Sequence, residues 1–367
     1  MTMRYMTYGK ELIDIMKIKD ILSNAIDKNA SDIFIIAGRP LSYKIMGEII
    51  SQNEVPFLAD DTYEIIYDIF KIADKDSIDE LSKEGDIDFS FSLPKLGRFR
   101  VSAYKQRNSF AAVIRVVLFE LPDPNKLGIP NVVMDLYKKT KGLVLVTGPA
   151  GSGKSTTLAC LVDKINSERN CHIMTFEDPI EFIHKHKKSI VSQREISTDS
   201  KSYISSLRSS LRQAPDVILI GEMRDLETIE IALTAAETGH LVLSSLHTTG
   251  AANTIDRIID VFPPNQQQQI KIQLSMQLQA VVSQQLIPSQ LYGRVPAFEV
   301  MLVNNAVSNL IRESKVHQLN SVIYSSEGRG MKSMDSSILE LYKNDMISRE
   351  CALLHSIDPD SISKRLT

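Results

Sequence analysis

The stretch "LVLVTGPAGSGKSTTLACLV", Leu143 to Val162, decides the fold. Leu143 to Val146 are the residue types that fill a buried strand. Gly148, Gly151 and Gly153 follow, and a backbone without Cβ atoms lets successive N–H groups converge on one anion. Beyond them the sequence turns apolar at helical spacing. A helix starting near Lys154 therefore brings its positive end to the same point, worth about 0.3–1 kcal/mol and up to ~2 in favourable geometry. Strand, glycine loop and helix together read as a phosphate-binding loop over Gly148, Pro149, Ala150, Gly151, Ser152, Gly153, Lys154, Ser155 and Thr156. Lys154 is placed to reach the β- and γ-phosphates of a nucleoside triphosphate, and Ser155 to ligate Mg²⁺. The spacing Gly148-x4-Gly153-Lys154-Ser155 is far more specific than a lone glycine turn.

Downstream, nearly continuous apolar runs recur at "HIMTFED", "DVILIGE" and "HLVLSSLH", each separated by a helical stretch. Such runs predict an α/β domain with a predominantly parallel sheet covered by helices on both faces. Upstream, "DIFIIAG", "IDFSFSLP", "GRFRVSAYKQ" and "AAVIRVVLF" alternate in polarity between Gly, Pro and Asp, which predicts a small α+β domain with an antiparallel sheet. Between the halves, "LPDPNKLGIP" (Leu121 to Pro130) reads as a linker. The expected organisation is a tail over 1–17, an α+β domain over 18–120, a linker over 121–130 and an α/β domain over 131–367. The last of these ends in helices from about 304.

A chain of 367 residues suits about two domains, and a formal net charge of −3 argues against a broad electrostatic grip on nucleic acid or anionic lipid. No stretch approaches the ~20 apolar residues that span a bilayer. The first twenty residues carry charges throughout, unlike a secretory signal. Cys160, Cys171 and Cys351 lack paired spacing, so free thiols in a reducing cytoplasm are expected.

Hydrolysis requires acids at the carboxyl ends of neighbouring strands, where ligands of open α/β sheets lie. "DVILIGEMRD" presents Glu222, which can hold magnesium or orient the attacking water. "TFEDPIEF" presents Glu177, Asp178 and Glu181, one of which can serve as general base. His240 and His247 flank an apolar run seven residues apart. An odd spacing on a strand puts them on opposite faces, against one shared zinc. His247 is the one placed to sense a γ-phosphate, with Thr248 and Thr249 beside it.

These boxes, in order, resemble those of the secretion and type IV pilus ATPases, and within them the pilus retraction ATPases: Gly148–Ser155, "EDPIEF" (Glu177–Phe182), "DVILIGEMRD" (Asp216–Asp225) and "ETGHLVLSSLHTT" (Glu237–Thr249). "ASDIFIIAG", "GRFRVSAYKQR" and "TIDRIIDVFPP" extend the resemblance to nearly the whole chain from about Ile18. It implies a PAS-like N-terminal domain, a RecA-like P-loop domain and a homohexameric ring. Residue by residue it makes Glu181 the candidate general base, Glu222 the Walker B glutamate and His247 a catalytic histidine. It also directs arginines of the N-terminal domain at the phosphates, best matched by Arg100 and Arg115, then by Arg98 and Arg107. The implied work is pilus retraction, performed peripherally on an inner-membrane platform protein at the cytoplasmic face of that membrane.

Ala306–Glu313 reads AVSNLIRE where retraction motors carry a motif close to AIRNLIRE, so Ser308 replaces an arginine. A tetracysteine motif and a longer N-terminal region, typical of assembly ATPases, are absent. Phe34 replaces a histidine of many relatives at a position that reads as core. The alternatives are an assembly or secretion ATPase of the same superfamily and a nucleic-acid translocase. For the last, the sequence offers only "HKHKKS" (His184–Ser189) and no Trp, so no direct nucleic-acid partner is expected.

Overall fold

A computed structural model describes residues 18–74, 78–94, 96–117, 121–196, 198–291 and 293–366. The expected tail over 1–17 and the end of "AAVIRVVLF" lie outside the described residues. The chain divides into two compact units, Met1–Glu120 and Leu121–Thr367.

The first unit runs α1 (Ile18–Asp27), β1 (Asp32–Ile35), β2 (Ser42–Ile45), β3 (Glu48–Ser51), α2 (Ala59–Ile72), α3 (Ile78–Glu84), β4 (Asp86–Leu93), β5 (Gly97–Gln106) and β6 (Ser109–Val117). The strands form one antiparallel sheet in the order β3-β2-β1-β6-β5-β4. Period-two alternation sends Ile33, Ile35, Phe99, Val101 and Ile114 into a core shared with the apolar stripes of α1 and α2. Helix α2 starts where Asp61 reaches back to accept the Leu58 N–H at 2.7 Å, and its acidic first turn and closing Lys71 match the helix dipole. On the other sheet face, Asp32, Arg115, Arg100 and Ser90 stand in one cross-strand row. Arg115 Nε donates to Asp32 Oδ1 at 3.0 Å. Arg107 lies apart, in the β5–β6 turn. Phe34 departs from the sequence reading: it alternates with buried Ile33 and Ile35 and shares the face of Asp32. The "DIFII" run is apolar on both sides of the alternation, which hid its outward position.

The second unit carries α4 (Asn131–Met134), β7 (Gly142–Thr147), α5 (Lys154–Glu168), β8 (His172–Glu177), β9 (Ile190–Glu195), α6 (Tyr203–Ser210), β10 (Val217–Ile220), α7 (Leu226–Glu237), β11 (Leu241–Leu246), α8 (Ala251–Asp260), α9 (Pro264–Gln277), β12 (Leu278–Pro288) and β13 (Arg294–Leu302). Helices α10 (Asn305–Arg312), α11 (Leu319–Ser325), α12 (Met334–Lys343), α13 (Arg349–His355) and α14 (Pro359–Ser363) follow. The sheet order is β13-β12-β7-β11-β10-β8-β9, parallel throughout except for the antiparallel β12–β13 pair. Continuous apolarity has a direct cause here. Leu143 and Leu145 of β7 face one core with α7, α8 and α9, while Val144 and Val146 face another with α5. Residues 121–130 pack within this unit, where Ile129 is buried and the Pro122 carbonyl accepts from Cys160 Sγ.

Candidate active site

Strand β7 ends at Thr147, and the loop leaves it through Gly148 at φ +145°. A Cβ there would lie 2.1 Å from the Gln284 carbonyl oxygen on β12, so only glycine fits. Gly153, at φ +88°, is the N-cap of α5, and a Cβ on it would meet Gln284 Nε2 at 2.9 Å. The Gln284 side chain in turn accepts a hydrogen bond from Thr157 Oγ1 at 2.7 Å. One buried residue of β12 thus braces the loop from behind, and sequence reasoning missed it. The signal was a Ser-Gln-Gln interruption in an otherwise apolar strand.

Lys154 is buried in the first turn of α5. Its Nζ donates to the carbonyl oxygens of Gly148 at 2.9 Å and Pro149 at 3.0 Å and lies 3.4 Å from His247 Nδ1. Burial lowers its pKa, while the charges of Glu222 and Glu181 pull the other way. His247 Nε2 stands 3.3 Å from Glu222 Oε2. That oxygen is buried and makes no hydrogen bond. The other carboxylate oxygen of Glu222 is held by Arg224 at 2.5 Å. Lysine, imidazole and carboxylate therefore form one contiguous chain at the ends of β7, β11 and β10. His240 stands at the opposite end of β11, with Nδ1 2.9 Å from the Ala235 carbonyl oxygen.

The loop after β8 is irregular, yet side chains of β9 fix it. Gln193 donates to Glu177 Oε1 at 3.3 Å and to the Phe182 carbonyl at 2.8 Å, and accepts the His184 N–H at 2.7 Å. Glu195 accepts the Ile180 N–H at 3.0 Å. Glu181 projects from this braced segment and is exposed. Desolvation pushes the Glu177 carboxyl up to about 7 against the pull of bonds from Thr175 and Gln193. Burial pushes the His184 imidazole down to about 4. The "HKHKKS" run is no free basic patch: His184 is buried, Lys187 pairs with Asp163 at 2.8 Å, and Lys188 lies 3.9 Å from Glu168.

A cavity of about 450 Å³ gathers Lys154, Ser155, Glu177, Glu181, Glu222 and His247, together with Ala150, Gly151, Gly153 and Thr156 of the loop. Gly148 and Pro149 join through the Lys154 ammonium; Ser152 is buried inside the loop. Arg100 and Arg115 belong to the first unit. Among the described residues no group of three or more His, Cys, Asp or Glu side chains forms a metal cluster. Ser155 and Glu222 nevertheless offer the oxygen donors that suit a hard cation carried in with phosphates, and Glu222 Oε2 has a hydrogen-bonding capacity left over. No helix among the described residues is long and apolar enough to cross a membrane.

Residues 9–344 match the model of the type II/IV secretion system protein family. A Pseudomonas aeruginosa protein named "Type IV pilus retractation ATPase PilT" is 44% identical over 92% of this chain and 97% of its own length. A Neisseria gonorrhoeae protein named "Twitching motility protein" is 47% identical over 76% of this chain and 75% of its own. The crystal structure of the pilus retraction motor PilT with bound ADP superposes with a TM-score of 0.87 at 45% identity, covering 95% of this chain and 99% of that one. With a phosphate-binding loop, two strand-end acids and a histidine converging on one cavity, and with the Pseudomonas aeruginosa protein and the ADP-bound structure matched over nearly their whole lengths, the chain belongs to the type II/IV secretion system protein family and stands with its nucleotide-binding retraction ATPases.

Proposed function

We propose that this chain hydrolyses ATP to drive type IV pilus retraction, as a homohexameric ring acting on an inner-membrane platform protein from the cytoplasmic side. The observation that carries the reading is the Lys154–His247–Glu222 chain lining the cavity, with Glu181 lining it as well. The Lys154 ammonium donates to the loop's own carbonyls. A triphosphate offers it a stronger, charge-assisted partner and draws it away from them. His247, between Lys154 and Glu222, registers that move. Glu181 takes the proton of the attacking water, and Glu222 orients that water once Arg224 lets go. Ser155 and Glu222 would hold Mg²⁺, which when bound neutralises charge on the β- and γ-phosphate oxygens. Arg100 and Arg115 supply the cationic groups that the resemblance assigns to the phosphates. The first unit serves as the PAS-like domain and the second as the RecA-like motor.

Deleting the gene and counting surface pili tests the direction of work. Retraction predicts more pili with lost twitching motility. A bald cell would mean assembly and refute the reading.

A further inference from the structure

Glu299 lies on β13 with its side chain buried at 2% exposure. One carboxylate oxygen accepts the Ala251 N–H at 2.7 Å and the other accepts the Met334 N–H at 3.4 Å. These are the first residues of α8 and α12, so one acid caps two helices at their positive ends. Helix α8 begins four residues after His247. The turn between them is fastened elsewhere too: the Gly250 N–H donates to Ser283 Oγ at 2.9 Å, and Thr254 Oγ1 donates to the Gly250 carbonyl at 2.7 Å. Of these fasteners, Glu299 also hydrogen-bonds the start of α12. Helix α12 docks on the outer edge of β13, where Ser337 Oγ accepts the Phe298 N–H and Lys332 exchanges backbone bonds with Val300. From there α12, α13 and α14 pack Ile338, Ile347 and Ile362 into a small core with Ile287 of β12 and Val295 and Ala297 of β13.

We propose that Glu299 is a positioning residue that couples the His247 turn of the nucleotide site to the C-terminal helices α12–α14. The inference rests on the nucleotide reading given above. A single carboxylate cannot follow two helix ends independently. If a γ-phosphate draws the His247–Gly250 turn inward, Glu299 moves with Ala251, which it holds at the shorter distance. The 3.4 Å bond to Met334 is already near the limit of a hydrogen bond and yields first. Nucleotide state is thereby written into the hold on α12.

Hydrogen exchange of the wild-type chain, with and without a non-hydrolysable ATP analogue, tests this without any substitution. Analogue binding should speed exchange of the 333–337 amides at least threefold. Unchanged exchange there, with the phosphate-binding loop protected, overturns the coupling and leaves the nucleotide reading intact. If the analogue protects nothing, both fall. E299Q keeps the side chain's volume but presents an amino group to one of the two N–H donors. It should bind the analogue within threefold of wild type, lose the response at 333–337, and lower kcat about tenfold with KM within twofold. Asp335 accepts the Ile357 and Asp358 N–H groups in the same segment without touching Ala251, so D335N should keep both the response and kcat. Equal losses in E299Q and D335N would mean a merely structural role and overturn the proposal.

Discussion

Replacing Glu177 with glutamine should stabilise the protein, increasingly so as pH rises from about 4.5 to about 7 and constantly above that. The folded-state pKa of about 7 lies above the ordinary 4.5 because the carboxyl is desolvated. Between those values the folded state keeps a proton that the unfolded state has lost. Stability associated with this group is therefore fully present below pH 4.5 and drains away as pH rises through 7. At about 1.36 kcal/mol per pH unit the full loss would be about 3.4 kcal/mol. Water in the cavity still reaches the side chain, so about 2–3 kcal/mol is the sensible range. Glutamine carries no charge, and its carbonyl can keep both bonds now made to Glu177 Oε1, from Thr175 Oγ1 at 2.6 Å and from Gln193. For a unit of this size each kcal/mol moves the melting temperature by about 2–4 °C. The assay is the melting-temperature difference between E177Q and wild type from pH 5 to 8.5, in which every other titrating group cancels. The difference should climb by roughly 5–10 °C across that range. A difference that stays flat, or falls, refutes the reasoning.

Gly148→Ala forces a side chain into a backbone region that L-residues rarely adopt and against the Gln284 carbonyl, each costing about 1–3 kcal/mol; calorimetry should show a lower melting temperature and nucleotide titration no binding. Thr157→Val removes the donor to the buried Gln284 Oε1 and should cost about 1–3 kcal/mol, with a weaker nucleotide Kd as the brace loosens. His184, whose pKa is depressed to about 4, stays neutral in the folded state while the unfolded chain takes up a proton below about 6.5. Acid should therefore erode stability between pH 6.5 and 4 through this residue, and His184→Gln should flatten that part of the melting curve against pH.

The parallel core of the second unit was legible because burial on both faces writes itself as unbroken apolar runs, as in β7, β10 and β11. The loop and the strand-end acids were legible for the same reason, since each follows such a run. Strands β9, β12 and β13 were not. β12 buries Ser283 and Gln284, residues that break an apolar pattern but earn their burial through bonds to Gly250 and Thr157. β9 turns Gln193 and Glu195 toward the acidic loop, which makes it look like a surface segment. The bracing of the Glu177–His184 loop by Gln193 and the double capping by Glu299 depend on partners far away in sequence, so no local spacing announces them. Phe34 shows the converse error, an apolar residue on an outward face.

The most direct test of the account is ATP turnover by the Lys154→Ala variant beside wild type, under saturating Mg²⁺ and nucleotide. The cavity chemistry predicts a steady rate for wild type and a loss of about 10²–10³-fold for the variant, the scale of removing one charge-stabilising donor. Turnover by Lys154→Ala within twofold of wild type would contradict the account.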